Sequence, residues 1–226
     1  MNLLTELQYF PSVNLYKNLN KFSNIVFEQY EHYQKMSFRN RCRIAGAEGA
    51  IDLSIPLVAG RDQKTLIKDV RIAGDQPWQD QHWKTLVSCY NRSPWFEFYR
   101  DDLERWYRKP FDFLLDWDLA CFEWSLKVLG ILIPVTLTES FQKTYEEEEN
   151  WVDRRGKILP KNRGMLASPD REKDPTIPNY RQVFEERTGF LPGLSILDLL
   201  FCEGKRAGAF LVTPTGGSSP GSPGLF

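Results

Sequence analysis

Apolar residues recur along this chain in two periods, and the change from one to the other falls near residue 75. Before it the runs are short and alternate. Leu3 to Tyr9 reads as a strand stopped by Pro11. "NIVFEQY" (24–30) reads as a second, with Ile25 and Phe27 alternating with Val26 and Glu28. Between them Ser12 to Lys21 predicts a helix capped by Ser12, with Val13, Tyr16, Leu19 and Phe22 on its apolar face. "RIAGAEGAIDLSIPL" (43–57) reads as a hairpin turned by Gly46 and Gly49, in which Ile51, Leu53 and Ile55 alternate with Asp52 and Ser54. "TLIKDVRIA" (65–73) predicts a further strand.

From Trp78 the spacing is helical. Trp83, Leu86, Val87 and Tyr90 share a face, Ser93-Pro94 breaks the run, and a second helix follows over roughly 95–109. A third helix fills 111–129 and ends at Gly130, before a short strand in "IPVTLTES" (133–140). Residues 145–178 are polar and lack periodicity, which predicts a long loop or lid. Apolar positions return at Val183, Phe184, Phe190, Leu194, Ile196, Leu199 and Leu200, a segment suited to docking on the core. The pattern predicts one α+β domain over 1–204. A small mixed β-sheet from the N-terminal third is covered by helices, and a disordered Gly/Ser/Pro-rich tail follows over 205–226.

Composition narrows the class. Aromatics at 14 % supply a large core and leave rings for pockets. A formal net charge of −1 argues against a general nucleic-acid binder, which carries a basic excess. Cys42, Cys89, Cys121 and Cys202 form no CxxC pair and read as reduced, mostly buried thiols. The N-terminus lacks the basic start and long apolar run of a signal peptide. The most apolar later run, 128–135, is too short to span a bilayer. The expectation is a cytoplasmic protein with no membrane span.

Two residue groups bear chemistry. In "EHYQKMSFRNRCRI" (31–44), Lys35, Arg39, Arg41 and Arg43 share the phase of an extended strand, which would put four cations on one face. Arginine's planar donor set suits phosphate or carboxylate. Salt bridges to Glu28, Glu31 or Asp52 would use the same residues structurally, and both readings stand at this point. The second is His82 at the start of a helix, where a near-neutral imidazole at a pocket rim serves as acid or base, or else as a structural hydrogen-bonding group. Cys89 lies two helical turns from His82, about 10.5 Å, too far for a dyad. Cys42 lies between two arginines, but strand geometry turns it away from them, so an inert thiol is expected. With two histidines in the chain a histidine-rich metal site is excluded, and no GxGxxG, P-loop, GxSxG or HExxH pattern occurs. No cofactor is implied.

Several blocks in order resemble the WbqC-like protein family: "LQYFPSVNLYKNL", "YEHYQKMSFRNRCRI", "LSIPLV", "IKDVRI" and "WQDQHWKTLVSCYNRSPWFEFY". "YRQVFEERTGFLPGLSILDLLFCEG" is similar to the C-terminal end of a subset of that family. The resemblance implies a setting in bacterial surface polysaccharide (O-antigen) biosynthesis, and its patterned positions are Lys35, Asn40, Arg41, His82, Tyr90 and Pro94. Within that setting, the four-cation phase and the histidine at a helix start lead to the expectation of a transferase that takes an anionic partner such as a nucleotide-sugar or acyl donor. Lys35, Arg39, Asn40, Arg41, Arg43 and Tyr90 would bind substrate and His82 would be catalytic. The alternative is a non-catalytic binding or scaffold protein of the same pathway, using "SILDLLF" (195–201) as a partner surface.

Overall fold

The structure, a computed structural model, describes residues 1–17, 19–145, 150–157 and 180–212. Strand β1 (Asn2–Thr5) sits inside a four-stranded sheet beside β2 (Asn24–Phe27), with β5 (Val135–Leu137) beyond β2 and β6 (Trp151–Asp153) on the other side of β1. Every pairing is parallel, with Leu3 opposite Ile25 and Val152, and Ile25 opposite Val135. Burial on both faces explains why β1 and β2 are almost continuously apolar: Leu3, Leu4, Ile25, Val26 and Phe27 are all buried. β3 (Arg41–Gly46) and β4 (Gly49–Ser54) form the expected hairpin as a separate antiparallel pair.

Three long helices follow, the last of which lays Phe122 against Phe27 of the sheet. α2 (Trp78–Tyr90) buries Trp78, His82, Leu86 and Tyr90, one position per turn, with Trp83 and Val87 packed beside them. α3 (Phe96–Arg108) buries Phe96, Tyr99, Leu103 and Tyr107 and is charged on its other face. α4 (Leu114–Leu129) is apolar nearly all round and stops at Gly130 (φ 67°), a left-handed cap that glycine adopts without strain. The chain is α+β, as its pattern predicts. Among the described residues, no helix is long and apolar enough to cross a membrane.

Some expectations are corrected. Ser12 to Lys21 is a single turn, α1 (Val13–Tyr16), followed by a short 3-10 turn at Leu19–Lys21. Residues 65–73 are not a strand. Ile67–Asp69 turns as a 3-10 helix, while Leu66, Arg71 and Ile72 make isolated bridges to three separate segments. The loop expected over 145–178 contains β6; its positions 146–149 and 158–178 lie outside the described residues. Residues 205–211, expected in the tail, are ordered into the body. Gly204–Leu211 winds as a 3-10 helix that buries Ala207 and Leu211, and 213–226 lie outside the described residues. Two C-terminal helices, α5 (Glu185–Thr188) and α6 (Ile196–Glu203), complete the body. The "SILDLLF" segment is core rather than a partner surface: Ile196, Leu197, Leu199, Leu200 and Phe201 have no exposure.

Candidate functional site: an arginine cleft beside a buried histidine relay

The four cations of the opening phase do not converge, because the extended backbone on which that phase depends begins only at Arg41. Lys35 lies in a turn, exposed, and pairs with Asp62 at 2.5 Å. Arg39, also in a turn, is buried and bonds Glu31. Arg41 and Arg43 are the two that share a strand face. Both reach Asp52 on β4: Arg43 through Nε at 2.6 Å and Nη2 at 2.9 Å, Arg41 through Nη1 at 3.4 Å.

Those two arginines line a tight cleft, without room for a water molecule as it stands, together with Tyr9, Phe38, Ser12 and Ser195. Three distant parts of the chain build it. The segment 9–12 is fixed to 38–43 by the Tyr9 N–H donating to the Phe38 carbonyl at 3.1 Å. The C-terminal segment closes the third side: Ser195 N–H donates to the Arg43 carbonyl at 2.7 Å, and its hydroxyl to the Phe10 carbonyl at 2.8 Å. Phe10, also on the cleft wall, holds a left-handed φ of 38°, a strained state for a side chain without a local polar group. Arg43 stacks over Phe38 with its guanidinium carbon 5.5 Å from the ring centre.

Two residues of this cleft each hold a buried polar atom without a partner: Arg41 at Nε and Ser12, 5 % exposed, at its hydroxyl. Buried polar atoms are rarely left so, and here one is a donor carrying positive charge. Two guanidiniums also face one carboxylate, so an anion entering the cleft meets an excess of positive charge.

His82 reaches the cleft through Tyr9 rather than directly. Its Nδ1 lies 3.1 Å from the Tyr9 hydroxyl, which lies 2.6 Å from the Tyr107 hydroxyl. The imidazole and the two phenols thus form one hydrogen-bonded chain, whose direction is set by which ring nitrogen carries the proton. Burial pushes the imidazole pKa down to about 4, partly offset by the Ser54 bond, so the ring is neutral and able to take a proton. Burial pushes the Cys42 thiol up to about 12, which makes it inert as its strand position implies.

The other two expected binding residues lie outside the cleft lining and bond within the fold. Asn40 accepts from the Tyr33 hydroxyl at 2.9 Å and donates to the Ile55 carbonyl at 2.9 Å. Tyr90 has no exposure; its hydroxyl donates to Asp198 at 2.7 Å and accepts from Ala45 N–H at 2.9 Å. Ser12, Tyr9 and Ser195 are the cleft residues that sequence reasoning missed. Tyr9 and Ser195 bond residues more than twenty positions away, which no local pattern encodes, and the local signal at Ser12 pointed to a helix cap instead.

No curated protein and no solved structure matches this chain. The model of the WbqC-like protein family matches residues 8–160, which take in Tyr9, Ser12, both cleft arginines, His82 and Tyr107. The chain belongs to the WbqC-like protein family.

Proposed function

We propose that the protein is a transferase that takes an activated, phosphate-bearing sugar or acyl donor. The surface-polysaccharide setting is what the family resemblance implies. One observation carries the reading: Arg41 and Ser12, each holding a buried polar atom without a partner, line the same cationic cleft. The donor's anionic group sits against Arg41 and Arg43. A hydroxyl or amine of the acceptor attacks the donor carbon, and the phosphate-bearing group leaves with its bonding electron pair. The acceptor's proton passes to His82 by way of Tyr9, which lines the cleft and bonds Nδ1 of the imidazole. A pKa of about 4 makes His82 a weak base alone. The negative charge of a bound donor raises its proton affinity.

A scaffold reading calls for one contiguous apolar surface. The large exposed apolar side chains, including Met36, Val58, Phe98, Leu132 and Phe141, come from separate elements.

The test is a thermal-shift screen with nucleotide-sugars, coenzyme A thioesters and inorganic polyphosphate on three proteins: wild type, Arg41→Ala and Lys35→Ala. A ligand that binds the folded state raises Tm by mass action. The expected result is a shift in wild type and Lys35→Ala that is lost in Arg41→Ala. A wild type that responds to none of these compounds, or a shift that survives Arg41→Ala, refutes the cleft as the donor site.

A further inference from the structure

Strand register fixes where the charges of the cleft meet. On the hairpin Arg43 stands directly opposite Asp52, while Arg41 stands opposite Ser54, one diagonal step away. A short aspartate side chain serves its direct partner well and its diagonal one poorly. Arg43 accordingly gives Asp52 two bonds, at 2.6 and 2.9 Å, and its guanidinium also lies over the Phe38 ring. Arg41 donates to the same carboxylate once, at 3.4 Å, and keeps Nε without a partner. The Arg43 side chain is thus held three ways and is 8 % exposed, whereas that of Arg41 has one long bond and is 24 % exposed.

The backbone around these side chains is stitched together. Tyr9 N–H bonds the Phe38 carbonyl, Val13 N–H the Leu194 carbonyl at 3.0 Å and Ile196 N–H the Pro11 carbonyl at 2.9 Å. Ser195 ties both Arg43 and Phe10. A cleft too tight for a water molecule therefore gains room by moving a side chain rather than its walls. Of its two charged side chains, Arg41 has less to lose by moving.

We infer that Asp52 is the resident anion of the arginine pair, a built-in competitor that holds Arg41 until the anionic group of a ligand takes its place. Asp52 thereby sets how tightly that group binds. This deepens the donor reading and rests on it. Two guanidiniums and one carboxylate leave one net positive charge here. With the Asp52 charge removed, the positive charge that meets an incoming anion doubles. The exchange suits Arg41, because a phosphate group offers several acceptor oxygens to the guanidinium edge on which Nε is unspent. It also suits Asp52. Arg43 keeps both of its bonds when Arg41 leaves, so the carboxylate never stands as an unpaired charge.

The experiment is isothermal titration calorimetry with inorganic phosphate and pyrophosphate at low ionic strength, where partly exposed charges act most strongly. It compares the full chain with Asp52→Asn, Asp62→Asn, Arg41→Ala and the double variant Asp52→Asn/Arg41→Ala. Asp52→Asn keeps side-chain shape and an oxygen that accepts from Arg43, so a folded protein is expected. Asp52→Ser removes the carboxylate by a second route and should behave alike. Asp52→Asn should bind at least one probe about tenfold more tightly than wild type, the effect of deleting one unit charge a few ångström from the bound anion. Asp62→Asn makes the same change in net charge at an exposed position paired with Lys35, and should bind as wild type does. In the double variant the gain should vanish. Three results overturn the assignment of Asp52: binding no tighter in Asp52→Asn, an equal gain in Asp62→Asn, or a gain that survives the loss of Arg41. Each of these leaves the donor reading standing where wild type binds a probe and Arg41→Ala does not. If no protein binds either probe, Asp52→Asn included, the donor reading falls and this inference falls with it.

Discussion

His82 and Asp198 are buried titratable groups whose burial acts in opposite directions on stability. The His82 pKa falls from 6.5 to about 4, so stability linked to it is fully present above pH 6.5 and is lost as pH falls to about 4. Burial raises the Asp198 pKa from 3.8 to about 6, against the opposing bonds from Tyr180 and Tyr90. Its contribution is full below pH 3.8 and is lost as pH rises to about 6. Each shift is worth about 3 kcal/mol, and the two windows overlap, so these two groups nearly cancel in the wild type. Substitution unmasks them. Measured by urea unfolding at each pH, His82→Gln should lose about 3 kcal/mol of the rise in stability between pH 4 and 6.5, relative to wild type. Asp198→Asn should gain about the same rise between pH 3.8 and 6. Parallel curves for either variant and wild type would mean that the residue titrates normally. At this scale the sequence put Arg41 and Arg43 on one strand face, where the structure has them. Its salt-bridge alternatives, Glu31 and Asp52, are the partners observed for Arg39, Arg41 and Arg43. The one-face argument failed at Lys35 and Arg39 because turns carry no period.

Elements were legible where one neighbour decides them. α2, α3 and α4 follow from helical spacing, and the hairpin from local alternation about Gly46 and Gly49, because each periodic face meets one continuous surface. Residues 65–73 alternate equally well, yet Leu66 bridges His32, Ile72 bridges Leu57 and Arg71 bridges Phe113. A segment with three partners cannot build a ladder with any of them. β6 has three residues in a polar stretch, and its strand state comes entirely from pairing with β1, which no local pattern encodes. Element ends give a sharper expectation. Gly130 and Gly204 both hold positive φ, 67° and 54°, but a Cβ at Gly130 meets nothing within 4 Å, whereas one at Gly204 falls 2.1 Å from the Trp95 ring. Gly130→Ala should cost about 1 kcal/mol, the left-handed strain alone. Gly204→Ala should cost visibly more, since the indole must also move. Equal losses in urea unfolding would show that Trp95 is free to swing aside.

Across the whole molecule, the cleft depends on α6 arriving from the far end of the chain. Ser195 bonds Phe10 and the Arg43 backbone, and Asp198, one turn further, is gripped by the Tyr90 hydroxyl from α2 and the Tyr180 hydroxyl, each at 2.7 Å. Tyr90 also receives Ala45 N–H from β3, so one phenol joins the hairpin, α2 and α6. The family resemblance put Tyr90 among the substrate-binding positions; in the structure it is completely buried, and its two bonds pin this junction. Tyr90→Phe leaves both Ala45 N–H and one Asp198 oxygen buried without a partner, and should cost about 2–4 kcal/mol. Tyr180→Phe strands only the other oxygen and should cost about half as much. Beyond stability, loosening α6 shifts Ser195 and with it the cleft wall. In Tyr90→Phe, under conditions where the protein is still fully folded, the Tm shift produced by the best donor compound should therefore shrink. In Phe98→Ala, an exposed position away from the cleft, that shift should stay at its wild-type size. A Tyr90→Phe protein that is destabilised as expected but responds to the donor like wild type would separate the pin from the site.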